Sequence, residues 1–402
     1  MSCAQIPDSK IQGKKALGSS ENLYDEKQYD EKLYDKKLYD EKLLRSDERA
    51  SLLLRGLYSR YGYMPYRMSK FEEYELYMRN KDFLISDRII TFNDTDDRLL
   101  ALKPDVTLSI IKNGRDVKGY KQKVCYNENV YRISESTHRF KEIMQTGIEC
   151  IGDLDIYDVY EAIYLAARSL SLLSESYILD ISHMGIIASA IDELGDFDER
   201  FRGEALRYIA QKNAHDLSGL CASKGLSNEA IQELCEYINI YGDRADVIKK
   251  IERLCKSEKS RQALKQLREI SRLLDDSDVS EHIRYDFSVV NDMNYYNGIV
   301  FRGFIDGISE GVLAGGRYDD LVRKMGRNSQ AIGFAIYIDL LESINRTHED
   351  VDVECILLYD DTTDRRQVAR KVREITRAGR SVVALTSVPD RLRYNEVIDI
   401  RN

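Results

Sequence analysis

The raw material of a metal centre is missing from this sequence: its five histidines (His138, His183, His215, His282 and His348) lie far apart without ligand spacing, and its seven cysteines include no C-x-x-C pair. An odd number of scattered cysteines also argues against a disulfide framework and reads as reduced thiols in a cytoplasm. No apolar run approaches the roughly 20 residues that a membrane span needs, and the N-terminus has no apolar stretch of the signal-peptide kind. The chain therefore reads as soluble and intracellular, with no membrane partner. Lysine and arginine are scattered through a chain of net charge -9, leaving no basic stripe along which a phosphate backbone could lie, so nucleic acid is a disfavoured partner. Neither a P-loop nor a nucleophile elbow is present.

What is present falls into blocks. The first twenty residues are polar and aperiodic, and over residues 23–42 a pentad recurs (LYDEK, QYDEK, LYDKK, LYDEK). Steps of five residues advance about 140° around a helix, so Tyr24, Tyr29, Tyr34 and Tyr39 smear over several faces. Residues 1–45 read as a solvated low-complexity segment. Ser46 can cap a helix in which Leu53, Leu54, Leu57, Tyr58 and Tyr61 recur at helical spacing, stopped by Gly62. From residue 63 to about 180, short β-rich runs at 87–92, 99–102, 124–132 and 145–152 alternate with helical segments at 106–113 and 155–174, the pattern of an antiparallel sheet flanked by helices. Residues 185–282 contain no proline and many charged helical windows, which indicates a helical insertion. Strand-like composition resumes at 284–302 and 311–314, followed by helices at 318–325 and 335–344. The insertion thus interrupts one α+β core, formed by 46–184 and 283–345. Beyond a polar linker, 353–359, 364–378 and 381–385 read as strand, helix and strand in a small α/β tail, 351–402.

Four stretches carry polar groups suited to a ligand. In LKPDVT (102–107), Pro104 marks a strand-to-helix turn, and Asp105 and Thr107 fall in the first helical turn, which favours acidic and hydroxyl groups. They serve either as helix caps or as a carboxylate and a hydroxyl facing a pocket for an ammonium group. The second stretch is VYR (130–132), a polar loop, and RFKEIMQTGIE from Arg139. On the return strand Gln145, Gly147 and Glu149 share a face, because side chains alternate with period two. Beside Arg132 that face could hold a zwitterion, although a solvated edge strand would alternate in the same way. The third stretch is NYYNGIVF (294–301). The fourth is GGRYDDL (315–321) followed by AIGFA (331–335), in which Gly315 and Gly316 either serve packing or let the backbone turn tightly between strand and helix and approach a ligand.

In this order the four stretches resemble the catalytic domain of the histidyl-tRNA synthetase family, whose paralogues include the regulatory subunit of ATP phosphoribosyltransferase. The resemblance runs from about Ser46 to Leu341, with the insertion between the second and third stretches. It implies the class II aminoacyl-tRNA synthetase fold, and it implies that Asp105, Thr107, Arg132, Gln145, Glu149, Tyr295 and Tyr296 bind histidine. The sequence also departs from the family pattern. The arginine that activates histidine falls at Asn291, the motif-three arginine that grips ATP falls at Leu340, and the motif-one proline is Ser69. The loop after Arg132 is short, and 351–402 is short for an anticodon-binding domain. Losing each preorganised cation typically costs on the order of 3 kcal/mol of transition-state stabilisation. The regulatory paralogue fits these departures. It would be non-catalytic, without cofactor or metal, and would form a homodimer within a hetero-octamer with the short-form ATP phosphoribosyltransferase catalytic subunit. Its task would be feedback control by L-histidine of the first step of histidine biosynthesis. A working synthetase and a histidine-binding module with another partner are the alternatives.

Overall fold

The computed structural model describes residues 44–84, 89–133, 138–290, 295–343 and 351–401. The pentad tract and Asn291 lie outside the described residues. Two compact units are present, one within Leu44–Glu349 and one within Asp350–Asn402.

The larger unit is built on a nine-stranded sheet ordered β1-β5-β6-β12-β11-β10-β7-β9-β8. Its strands are β1 (Met64–Pro65), β5 (Gln122–Ile133), β6 (Phe140–Gly152), β7 (Tyr177–His183), β8 (Tyr241–Gly242), β9 (Ile283–Asp286), β10 (Ile299–Ile305), β11 (Leu313–Arg317) and β12 (Gln330–Tyr337). A separate small sheet joins β2 (Phe71–Glu73), β4 (Leu99–Leu102) and β3 (Thr91–Asn93). The central strands β5, β6, β12, β11, β10 and β7 are all antiparallel neighbours.

Alternation along these strands gives the sheet two faces. Ile148, Phe334 and Phe301 point to one face, which helices Ser46–Arg60 and Ile156–Leu173 cover with Leu54, Tyr58, Ala166 and Leu170. The Tyr58 and Phe334 rings meet edge to face at 5.9 Å, and the Tyr58 hydroxyl lies 2.9 Å from Ser169 Oγ. Helix Ile156–Leu173 begins where Asp155 accepts hydrogen bonds from the Tyr157 and Asp158 amides. The other face, carrying Glu149, Gly333 and Arg302, is left to a cavity.

Between β7 and β9 the chain runs through helices Met184–Glu193, Glu199–Ala210, Ala214–Ser223, Asn228–Glu236, Arg244–Leu254 and Glu258–Asp275. The last five open on Asp198, Asn213, Ser227, Asp243 and Ser257, each accepting from an amide of its own first turn. Their apolar stripes, with Phe201, Ile209, Val247, Ile251 and Leu267, join the main core.

Several elements differ from the sequence reading. Ser46 is the first helical residue rather than the cap, and the turn is closed by the Arg45 amide donating to Glu48 Oε2 at 3.0 Å. Leu53 faces outward, 44% exposed. No helix begins at Ala335: β12 continues to Tyr337 because both of its sides are paired, and only Ile338–Ser343 turns, as a 3-10 segment. Gly315 and Gly316 lie within β11, not in a turn.

The smaller unit is a three-stranded parallel sheet ordered β14 (Val382–Leu385), β13 (Val353–Leu358), β15 (Tyr394–Asp399). It carries helix Arg365–Arg377, capped by Asp364.

Candidate functional site

A cavity of about 650 Å3 opens on the exposed side of the nine-stranded sheet, and Asp105, Thr107, Arg132, Gln145, Glu149, Tyr295 and Tyr296 all line it. They arrive from four places in the sequence, and pairing brings them together. Strand β6 lies between β5 and β12, so Gln145 and Glu149 project from an interior strand; Gln145 is 4% and Glu149 2% exposed. A solvated edge strand is thereby excluded. Register places Gly333 of β12 opposite Glu149 and Tyr126 of β5 opposite Gly147.

Glu149 is the centre of this end of the cavity. Thr107 Oγ1 donates to its Oε1 at 2.7 Å, and the Tyr318 hydroxyl donates to its Oε2. Both oxygens are therefore engaged. Two glycines make the arrangement possible: a Cβ at Gly333 would overlap Glu149 Oε2, and one at Gly316 would come within 2.6 Å of the Tyr296 ring. The Gly-Gly pair thus serves close packing, giving room for an aromatic wall in which Tyr295 lies 4.6 Å from Tyr296 and 6.0 Å from Tyr318, centroid to centroid.

Asp105 and Thr107 divide the roles that the sequence allowed them. The Leu108 amide donates to Asp105 Oδ1 at 2.9 Å, so Asp105 caps helix Thr107–Asn113 while lining the cavity. Thr107 spends its hydroxyl on Glu149 rather than on the helix. Arg132 is buried and donates through Nε to the Pro104 carbonyl at 2.9 Å, which ties β5 to the turn that carries Asp105.

Burial governs the electrostatics. Desolvation raises the Glu149 carboxyl from its ordinary 4.5 to about 8, against the hydrogen bonds from Tyr318 and Thr107, which favour the ionised form; Asp105 adds to the rise. Burial likewise lifts Asp105, opposed by the Leu108 amide and the positive charge of Arg132. Burial at this end of the cavity therefore favours the protonated form of Glu149.

The cavity continues toward the insertion, where Asp180, Lys212, Asp286, Ser288 and Arg302 line it. The Ser288 amide and hydroxyl donate to Asp286 Oδ1 at 2.8 and 2.6 Å, and Lys212 Nζ to Oδ2 at 3.1 Å. Tyr318, Gly333 and Asp180 are among the lining residues that the sequence did not single out. Tyr318 and Gly333 stood inside quoted motifs, yet nothing local told that each meets Glu149. Among the described residues no group of three or more His, Cys, Asp or Glu could hold a metal ion, and no helix is long and apolar enough to cross a membrane.

Comparison with known proteins places this geometry. The ATP phosphoribosyltransferase regulatory subunit of Clostridium kluyveri is 28% identical over 340 residues, 81% of this chain and 86% of that one. Its namesake from Oceanobacillus iheyensis is 29% identical over 285 residues, 70% of this chain and 69% of the relative. Among solved structures, an ATP phosphoribosyltransferase regulatory subunit/histidyl-tRNA synthetase from Bacillus halodurans superposes with a TM-score of 0.73 at 26% identity, covering 89% of this chain and 94% of that one. The histidyl-tRNA synthetase of Nostoc sp. PCC 7120 shares the fold at 17% identity, with a TM-score of 0.67 over 88% of this chain and 86% of its own. The family described as Histidyl-tRNA synthetase matches residues 40–341, most of the chain and all of the cavity, and with this α+β fold the chain belongs to that family.

Proposed function

We propose that this chain is a regulatory subunit of ATP phosphoribosyltransferase that binds L-histidine in the Glu149 cavity and performs no synthetase chemistry of its own. The support is Leu340. At the position where the resembled synthetases carry an ATP-gripping arginine, this chain has an apolar residue packed against the main core. Meanwhile the amino-acid end of the cavity keeps buried polar groups from four segments. A pocket kept without the cation that adenylation requires suits a sensor better than a catalyst. The relatives named as regulatory subunits, at 28% and 29% identity, point the same way.

Each side chain then has a task. Arg132 faces the ligand carboxylate, Asp105 and Gln145 the ammonium, and Glu149 the imidazole, with Tyr295 and Tyr296 as the apolar wall. A cationic ligand group arriving at Glu149 would offset the burial that keeps it neutral and draw off its proton. Control of the phosphoribosyltransferase requires histidine to bind the assembled states with different affinities. The assembly we propose is a homodimer of this chain within a hetero-octamer with the short-form catalytic subunit.

The test mixes the purified chain with the short catalytic subunit and measures phosphoribosyl transfer to ATP with and without L-histidine. Activation that histidine reverses is expected. Histidine-dependent ATP and pyrophosphate exchange by the chain alone would instead make it a synthetase. Histidine binding with no effect on the catalytic subunit would point to another partner.

A further inference from the structure

The end of the cavity away from Glu149 is built differently. Asp180 of β7 stands directly across from Arg302 of β10. Opposed residues on antiparallel strands have Cβ atoms about 4.5–5.5 Å apart, a spacing at which opposite charges ordinarily pair. Among the described residues these two do not. Asp180 is 8% exposed, and its Oδ1 is buried without a hydrogen-bond partner. The Arg302 guanidinium stands 5.7 Å from the centroid of the Phe304 ring, and its stem lies along Gly311, where a Cβ would overlap Nε. Asp286 is no donor for Asp180: it is itself an acceptor, from Ser288 and Lys212.

A buried acceptor without a donor is uncommon in a native protein and calls for an explanation. The cavity supplies one, since Asp180 and Arg302 both line it. Four charged side chains line this end, Asp180 and Asp286 against Lys212 and Arg302, and their charges cancel. An occupant with no net charge but with separated charges is the match: a cationic end for Asp180 and an anionic end for Arg302, with which a guanidinium forms a two-pronged pair. A lone cation would leave Arg302 unmatched, and a lone anion would meet the two aspartates. Val289 and Val290, half-buried on the same lining, offer the occupant an apolar wall.

We propose that this end is a second subsite, distinct from the Glu149 pocket, that takes a free α-amino acid with its ammonium on Asp180, its carboxylate on Arg302 and its side chain against Val289 and Val290. The subsite stands independently of histidine binding at Glu149.

The experiment is equilibrium dialysis of the full chain against radiolabelled L-histidine, L-valine, L-leucine and L-phenylalanine, in the wild type and in Asp180→Asn, Arg302→Gln and Glu149→Gln. At least one probe is expected to bind with an affinity that Asp180→Asn and Arg302→Gln each lower tenfold or more, while Glu149→Gln changes it less than twofold. The N-acetyl and methyl-ester forms of that probe, each lacking one charge, should lose as much on the wild type. Arg302 is exposed, so its truncation leaves the fold intact, as circular dichroism would verify. If every probe binds the Asp180 and Arg302 variants as it binds the wild type, or if none binds, the second subsite is overturned. Histidine binding lost in Glu149→Gln alone, with no probe weakened by Asp180→Asn or Arg302→Gln, would uphold the histidine pocket while removing this subsite. Binding lost only in the other two variants would do the reverse.

Discussion

Glu149 and Asp180 are both buried carboxylates on interior strands of one sheet, and both line one cavity, yet their surroundings differ in kind. Around Glu149 each oxygen accepts a hydrogen bond from a neutral hydroxyl, and among the described residues no cation is in contact. Around Asp180 one oxygen has no donor, but Lys212 and Arg284 act on it from a distance and Asp286 opposes them. Burial comes first at both sites. It lifts Glu149 to about 8 and Asp180 only to about 6. The comparison teaches that burial outweighs the favourable contacts each carboxyl has. The hydroxyl donors at Glu149 and the more distant cations Lys212 and Arg284 at Asp180 each favour the ionised carboxylate, and neither set overcomes the desolvation.

The largest expected effect comes from destroying the first arrangement sterically. Gly333→Ala puts a methyl group into the Glu149 carboxylate and against the Ile148 carbonyl, atoms that register and pairing hold in place. Overpacking ordinarily costs about 1–3 kcal/mol, and a clash with fixed backbone belongs at or above the top of that range. Gly56→Ala is the control: it sits within helix Ser46–Arg60 with nothing near its Cβ, and should gain up to about 1 kcal/mol. Urea denaturation midpoints of the two variants should move in opposite directions. Equal midpoints would mean that the Glu149 side chain has room to retreat.

Next in size is the dependence on pH. Because the folded protein holds the Glu149 proton up to about 8 while the unfolded chain releases it near 4.5, the native state binds more protons across that window. Stability from this group is therefore present below about pH 4.5 and is lost as pH rises toward 8, at up to about 1.4 kcal/mol per pH unit. Glu149→Gln keeps the shape and removes the titration. The difference between the two stability curves should fall steadily from pH 5 to 8, with other groups cancelling. A flat difference would show that water reaches Glu149.

Tyr318→Phe should act at about 1–2 kcal/mol, the usual cost of leaving a buried acceptor one donor short. It also removes a group that favours the ionised carboxylate, so the Glu149 proton should be held to still higher pH. Histidine binding measured by calorimetry should weaken along with stability. If only stability changes, Tyr318 supports the pocket without shaping it for the ligand.

How much of this was legible in the sequence depends on whether the signal was local. Helix 155–174 carried its own cap and stripe, and it forms as Ile156–Leu173. The alternation of Gln145, Gly147 and Glu149 revealed one face of one strand, and Asp105 and Thr107 announced a helix start. What no local pattern can give is the neighbour. Gly333 matters because β12 pairs with β6 across 184 positions of sequence, and Asp180 because β10 returns beside β7. The run from Ala335 onward satisfies both helical and strand spacing, and the pairing on both sides of β12 decided between them. Strand β15 went unread for another reason: it is an edge strand whose side chains are mostly exposed, so it lacks the apolar signal that marks a core strand.

The smallest expected effect sharpens the comparison most at the Asp180 end. Lys212→Met removes an ion pair whose lysine side chain is half exposed, and Asp286 keeps both of its bonds from Ser288. Exposed pairs of this kind are worth about 0–1 kcal/mol, so at pH 4 the variant should be within that range of the wild type. Lys212 also holds the Asp180 carboxyl down, so removing it should raise Asp180 above about 6. A raised carboxyl stabilises at low pH and withdraws that contribution as pH climbs through its folded value. The deficit of Lys212→Met should therefore widen between pH 4 and 7, in chemical denaturation run at both. A deficit that is the same at both pH values would mean that solvent already screens Lys212 from Asp180.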